Sequence, residues 1–268
     1  MVSHFFSWQK FSEEMWNHFA AEFRDKGADK LVLFHHWTSR LVEENGFFER
    51  IKEWSKVNGI SFVGAHAPFG VNWDMTTVKE ENLKKHEKII HYLSLLGIKS
   101  CTYHVGLLQG SLEESREHAL SALKRIVACG EKHGVLIAIE NAEHSGGSYE
   151  ELLFYRSKIN SPALGFCFDS GHANVNGGVI FVLEKLIDDI VVCHIHDNGG
   201  KGDNHGVPGT GTIPWKSVIK LLQKAPRLIG LENESNVLCS KYSYTEVIKW
   251  FDCFDREIFN DTKNLRGN

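Results

Sequence analysis

No run of about 18 uninterrupted apolar residues occurs in this 268-residue chain, so no membrane-spanning helix is expected. The opening MVSHFFSWQKFSEEMW has no basic leader before an apolar stretch, so no export signal is expected either. Charge of one sign is not in excess: the formal net charge is −4, which demands neither a nucleic acid nor a membrane as partner. Pro- or Ser-rich linkers and low-complexity tracts are missing. The six cysteines, Cys101, Cys129, Cys167, Cys193, Cys239 and Cys253, form no CxxC pair. Several sit in apolar runs, where a reduced thiol acts as a small core residue; a disulfide framework is not expected, and a reducing cytoplasm fits.

What is present in excess is histidine, fifteen residues of it. The densest cluster is HIHDNGGKGDNH at 194–205. Such a set solvates a loop, relays protons or holds metal, and the rest of the chain decides which.

Short apolar runs alternate with longer segments of helical period. The expected strands are VSHFF at the start, KLVLF ending at Phe34, ISFVGA ending at Ala65 and KSCTY ending at Tyr103. They continue with VLIAI ending at Ile139, ALGFCF ending at Phe168, IVVCHI ending at Ile195 and RLIGL ending at Leu231. The first expected helix runs from an N-cap at Ser12 to Gly27. Others run over 76–97 and from Ser111, with Glu114 completing a capping box, to Gly134. Shorter ones cover 41–58, 148–158, 179–188, 214–224 and 243–258. Eight strand–helix pairs predict an α/β fold, a (β/α)8 barrel forming a single domain over 1–268. The alternative is an open, doubly wound sheet, but no GxGxxG follows the first strand.

Six consecutive strands, the third to the eighth, end in a polar group: His66, His104, Glu140, Asp169 with His172 three residues on, His194 with His196, and Glu232. In such barrels the C-terminal rim carries the active site. One histidine at a strand end is ordinarily a satisfied half-buried side chain; six strands delivering ligand types to one mouth are hard to explain as packing. Carboxylates crowded in a low-dielectric pocket repel one another unless a cation joins them. Mixed nitrogen and oxygen donors suit Zn, Mn, Fe or Co, and with no cysteine at a strand end the expected site is catalytic and partly open.

IEN at 139–141, DSGH at 169–172, HIHDN at 194–198, DNHGVPGTGTI at 203–213 and LENE at 231–234 resemble the xylose isomerase-like barrel superfamily. It contains sugar (phosphate) isomerases and epimerases, inosose-processing enzymes and endonuclease IV. The resemblance covers nearly the whole chain and is not specific to one reaction. By resemblance to the sugar-converting members, Glu140, Asp169, His194 and Glu232 hold one divalent ion. By resemblance to endonuclease IV, with three zinc ions, the set extends to His66, His104, His172, Asp203 and His205. His196 is expected to turn away from His194 along the strand, either supporting the ligands from behind or serving only the structure.

The resemblance implies a metal-dependent sugar or sugar-phosphate isomerase or epimerase. Glu140 and Glu232 exchange protons through an enediolate, and His172 bonds a substrate hydroxyl. Trp8, Trp37, Phe69, Trp73 and Trp215 near the rim are expected to stack on sugar faces or to pack loops, and Lys201 to meet a phosphate or solvent. The alternative is an abasic-site endonuclease. The rim loops offer it few cations, chiefly Arg40, Lys201 and Lys241, whereas DNA binding needs several; a nucleic-acid partner is therefore not expected. Gly200 stands near where ketohexose epimerases carry an arginine, which counts against that subfamily. A metal-free binding protein retaining these residues is the third class. A homo-oligomer is allowed by the sequence but not required.

Overall fold

Strands β6 (Leu164–Asp169) and β7 (Ile190–Ile195) are buried along their whole length, as apolar runs covered on both faces should be. The computed structural model describes residues 1–5, 12–176, 178–236 and 241–260; Trp8 and Cys239 lie outside them. The other strands are β1 (Val2–His4), β2 (Lys30–Leu33), β3 (Ser61–His66), β4 (Ser100–Tyr103), β5 (Leu136–Glu140) and β8 (Gly230–Asn233). All pair in parallel in chain order, and β1 pairs with β8 to close the barrel. The fold is a (β/α)8 barrel. No helix among the described residues is long and apolar enough to cross a membrane.

The helices largely follow the sequence signals. Helix α1 (Glu13–Asp25) begins after Ser12. The segment expected as one helix over 41–58 is two, α2 (His35–Glu43) and α3 (Phe47–Asn58), because Gly46 takes a left-handed conformation between them. Helix α4 (Glu80–Leu95) starts four residues later than expected. Helix α5 (Leu112–His133) is capped by the Ser111 hydroxyl, which accepts from Glu114 N, and ends at left-handed Gly134. Its buried Ala119, Ala122, Leu123, Ile126 and Val127 recur at helical spacing. Helix α6 (Tyr149–Lys158) is capped by Ser148.

Helix α7 (Ser170–Val175) is not in the sequence expectation. Asp169 both ends β6 and caps this helix, its Oδ1 accepting from His172 N at 2.7 Å. Helices α8 (Val179–Leu186), α9 (Trp215–Leu222) and α10 (Tyr244–Asp255) complete the described set, the last opened by a full capping box of Ser243 and Glu246.

Two displacements bear on the site. Strand β8 was expected to end at Leu231 but runs to Asn233. Arg227 is not part of it; its guanidinium donates to the Leu164 and Pro162 carbonyls and pairs with Asp189 at 2.6 Å. Glu232 therefore sits inside the strand, and Glu234 just past its end. Trp37 is the second. Helix α2 starts directly after β2 and turns this ring into the helix layer, where it is fully buried against Trp16 (4.3 Å between centroids), Phe47, Trp54 and Phe62. It is a packing residue and not a sugar platform.

Candidate metal centre

Strand pairing sets Asp169 beside His194, and His194 beside Glu232. Three neighbouring strands thus bring three ionisable side chains to one level of the barrel. Glu140, the last residue of β5, joins them: its Oε1 lies 2.7 Å from His194 Nδ1. On the other side of the same ring, His194 Nε2 lies 3.1 Å from Glu232 Oε2. The Glu232 carboxylate fills the space above Gly64, where an added Cβ would fall 2.1 Å from Oε1. Asp169 Oδ2 and Glu234 Oε2 stand 3.7 and 3.4 Å from His194 Nδ1.

The second Glu140 oxygen faces a different pair. Oε2 is 2.8 Å from His104 Nε2 and 3.4 Å from His66 Nε2. It is sealed from solvent, with these two imidazoles as its polar neighbours. His66 is oriented from behind by its Nδ1 contact with the Ala67 carbonyl at 2.8 Å. His172 Nδ1 lies 2.9 Å from the Asn141 carbonyl and its Nε2 3.4 Å from Asp203 Oδ2. His205 Nε2 is 2.7 Å from the same Asp203 oxygen. All nine residues named from the sequence therefore gather at the C-terminal mouth.

The loop carrying Asp203 and His205 is tied down by Asp197, which is fully buried. Asp197 accepts from the backbone nitrogens of Asn198, Gly209 and Ile213 and from Trp215 Nε1. Asp197 and Gly206 also exchange two backbone hydrogen bonds of 2.7 Å. Trp215 is consequently a structural ring, packed on Trp250 and Phe254.

Electrostatics follow the crowding. Burial favours neutral carboxyls, but the imidazoles of His194 and His104 hold Glu140 well below its usual range. His172 and His196 likewise outweigh burial at Asp169 and lower it. Burial works to lower the histidines, yet Asp169 and Asp203 raise His172 to about 11, and Asp203 and Glu234 raise His205 to about 9. At Glu232 burial prevails over the His194 interactions and the pKa goes up.

Imidazolium ions thus neutralise the clustered carboxylates of the protein alone, a task a divalent cation performs without them. The donor set fits such an ion. Groups whose ligand atoms lie within 4.8 Å of one another are His66–His104–Glu140, Glu140–Asp169–His194–Glu234 and His196–His205–Glu234. Glu140 is common to the first two and Glu234 to the last two. Cys167 also approaches Glu140 and His194. Burial raises its pKa in the metal-free protein.

Sequence reasoning missed several residues here. Glu234 was hidden by the strand boundary, although its spacing from Glu232 is the signal. The expectation for His196 fails: residues two apart in an extended strand share a face, and His196 Nε2 is 3.0 Å from Asp169 Oδ2. Beside the cluster opens a cavity of about 650 Å³, lined among others by Phe69, Trp73, Asp74, Lys79, His104 and His144. Phe69 stacks on His104 at 4.9 Å. Burial, reinforced by His104, lowers His144 to about 4 and keeps it neutral. Lys201 stands exposed and is not among the cavity's residues. Arg40 is engaged with Glu13 and Glu44.

Residues 16–251 match the model of a family described as the xylose isomerase-like TIM barrel. The uncharacterized protein MJ1311 of Methanocaldococcus jannaschii is 33% identical over 133 residues, 46% of this chain and 45% of its own length. The match thus spans less than half of that relative. A probable endonuclease 4 of Mycoplasmopsis pulmonis is 24% identical over 69% of this chain and 74% of its own. Among solved structures, a D-tagatose 3-epimerase-like protein superposes with a TM-score of 0.72 at 22% identity, covering 91% of this chain and 93% of that one. The IOLI protein with a bound zinc atom gives 0.70 at 15%, covering 97% and 98%. With the closed barrel and the gathered mouth already in place, the family match leaves one conclusion: the chain belongs to the xylose isomerase-like TIM barrel family.

Proposed function

We propose that the protein is a divalent-metal-dependent isomerase or epimerase of a small sugar or sugar phosphate. The observation that carries this reading is the pair Glu140 and Glu232. Their oxygens flank the two nitrogens of the buried His194 ring, 2.7 and 3.1 Å away, at a mouth joined to a cavity of about 650 Å³. Glu140, Asp169 and His194, with a carboxylate from the end of β8, are the residues that would hold the ion. When bound, a divalent ion polarises the substrate's oxygens and stabilises the negative charge that develops as a C–H proton leaves.

One of Glu140 and Glu232 takes the proton from carbon, leaving an enediolate. The other returns a proton to the neighbouring carbon or to the opposite face. His172, half-open at the mouth, donates to a substrate hydroxyl, and Phe69 and Trp73 cover the sugar's C–H faces. The D-tagatose 3-epimerase-like neighbour supports this substrate class, and the zinc-bound neighbour supports the metal.

A second reading rests on one observation: the His66–His104 pair on Glu140 Oε2 and the His172–Asp203–His205 group add two further places for ions. Three ions suit an abasic-site endonuclease, which the endonuclease 4 relative also supports. The mouth argues against it, since Arg40 is tied to carboxylates and Lys79 is the lysine that lines the cavity. Solvent-deuterium exchange into ketoses, aldoses and inososes, run beside abasic-DNA nicking, tests both. Exchange abolished by Glu232→Gln supports the isomerase reading; nicking without exchange replaces it.

A further inference from the structure

The end of β8 offers two carboxylates two residues apart, so both point into the barrel at successive levels. The resemblance assigns the metal role to Glu232. The geometry points to Glu234 as the strand-eight ligand of the ion held by Glu140, Asp169 and His194, with Glu232 as the residue that fixes the His194 ring. The inference rests on the metal-dependent reading above.

Three observations carry it. The first is the direction of the imidazole nitrogens, which diverge across the ring, so one ion takes one of them. Glu140 Oε1, Asp169 Oδ2 and Glu234 Oε2 all lie on the Nδ1 side, at 2.7, 3.7 and 3.4 Å. Glu232 Oε2 lies on the Nε2 side at 3.1 Å. An ion at Nδ1 among the first three is out of line with Glu232. What Glu232 provides is the carboxylate that accepts the other ring N–H of a metal-ligating histidine, which sets its tautomer and orientation.

The second observation is the room Glu232 has there. Gly64 has no side chain, and the Glu232 carboxylate fills the space an added Cβ would take, 2.1 Å from Oε1. The strand partner of Glu232 is His194 itself. Swinging the carboxylate to the Nδ1 side means giving up that space and the 3.1 Å approach to His194 Nε2.

The third is how Glu234 is held. Its backbone nitrogen donates to the Ile195 carbonyl at 3.2 Å, and its carbonyl meets His205 Nδ1 at 3.1 Å. Its Oε2 is also 3.9 Å from both His196 Nε2 and His205 Nδ1. Glu234 thus joins the His194 centre to the His196–His205 pair, as Glu140 joins it to His66 and His104. The division leaves Glu232 off the ion.

The test uses metal-stripped full-length protein titrated calorimetrically with Mn²⁺ and with Zn²⁺. Wild type, Glu234→Gln and Glu232→Gln are compared, with circular dichroism of each to establish folding and the visible spectrum of each Co²⁺-loaded form to report the ligand set. Glu234→Gln is expected to weaken the tightest ion by roughly 100-fold and to shift the Co²⁺ bands. Glu232→Gln keeps a hydrogen-bond acceptor for His194, so it is expected to cost about tenfold or less and to leave the bands in place. Should Glu232→Gln shift the bands and Glu234→Gln not, or both behave alike, the assignment is overturned while the metal-dependent reading stands. Absence of binding by the wild type overturns both.

Discussion

His196 Nε2 stands 3.0 Å from Asp169 Oδ2, and the same ring lies flat against His205 at 4.1 Å between centroids. The contact links a carboxylate of the central group to the loop residues beyond it. Gly171 makes room for it, because a Cβ there would fall 2.0 Å from His196 Cε1. With His205 stacked on the ring, His196 has little freedom to retreat. Gly171→Ala is therefore expected to break the Asp169 contact and lower metal affinity by about 10- to 100-fold. Calorimetric titration of the folded variant checks this, and wild-type affinity would show that His196 does not position Asp169.

Asp197 governs the loop that presents Asp203 and His205. Four donors converge on its buried carboxylate, and removing it leaves them without an acceptor. At about 1–3 kcal/mol for each unsatisfied buried group, with some relaxation, Asp197→Ala is expected to lose at least about 3 kcal/mol. Trp215 Nε1 donates one of these four hydrogen bonds, so Trp215→Phe should cost only about 1 kcal/mol. Urea denaturation of the two variants ranks them; equal costs would mean that the network does not act through Asp197.

The barrel was legible because each strand is a short apolar run and each helix a longer periodic one, so eight alternations had little other reading. The mouth was legible for the same reason: His66, Glu140 and Asp169 each interrupt such a run at its end. Glu234 was not, because the Arg227 side chain, not a strand residue at all, shifted the apparent start of β8 toward the N-terminus. Trp37 was misplaced because residues after β2 form a helix at once, and the face an aromatic takes on a helix depends on neighbours distant in sequence, here Trp16 and Phe62. The capping role of Asp169 hid helix α7, since the same residue also read as the end of a strand.

Acid should destabilise the fold through two histidines away from the metal centre. Burial lowers His4 to about 4, with Asp29 only partly opposing it, and burial lowers His86 to about 4 as well. The unfolded chain protonates such residues near pH 6.5. Between about pH 6.5 and 4 the unfolded state therefore binds more protons than the folded one. Stability falls as pH drops through that window and levels off below it, by about 3 kcal/mol for each histidine. His86→Leu should flatten part of this slope. Urea midpoints measured from pH 7 to pH 4 check it, and an unchanged slope in the variant would remove His86 from the account.

Trp37 and Phe69 should respond in opposite ways to truncation, although both are aromatics that precede or follow the same barrel rim. Trp37 is 0% exposed and packed on four rings, so Trp37→Ala opens a cavity in the helix layer and should cost about 3–5 kcal/mol. Phe69 is 44% exposed, borders the cavity and touches His104 with its face. Phe69→Ala gives up ring contacts with His35, His66 and His104, each worth about 1 kcal/mol at most, and little buried area. The loss should appear instead in substrate binding, as a raised KM with kcat changed less. Denaturation curves and steady-state kinetics on both variants separate the two roles. A Phe69→Ala protein with wild-type KM for every sugar that exchanges deuterium would leave the cavity without a part in recognition.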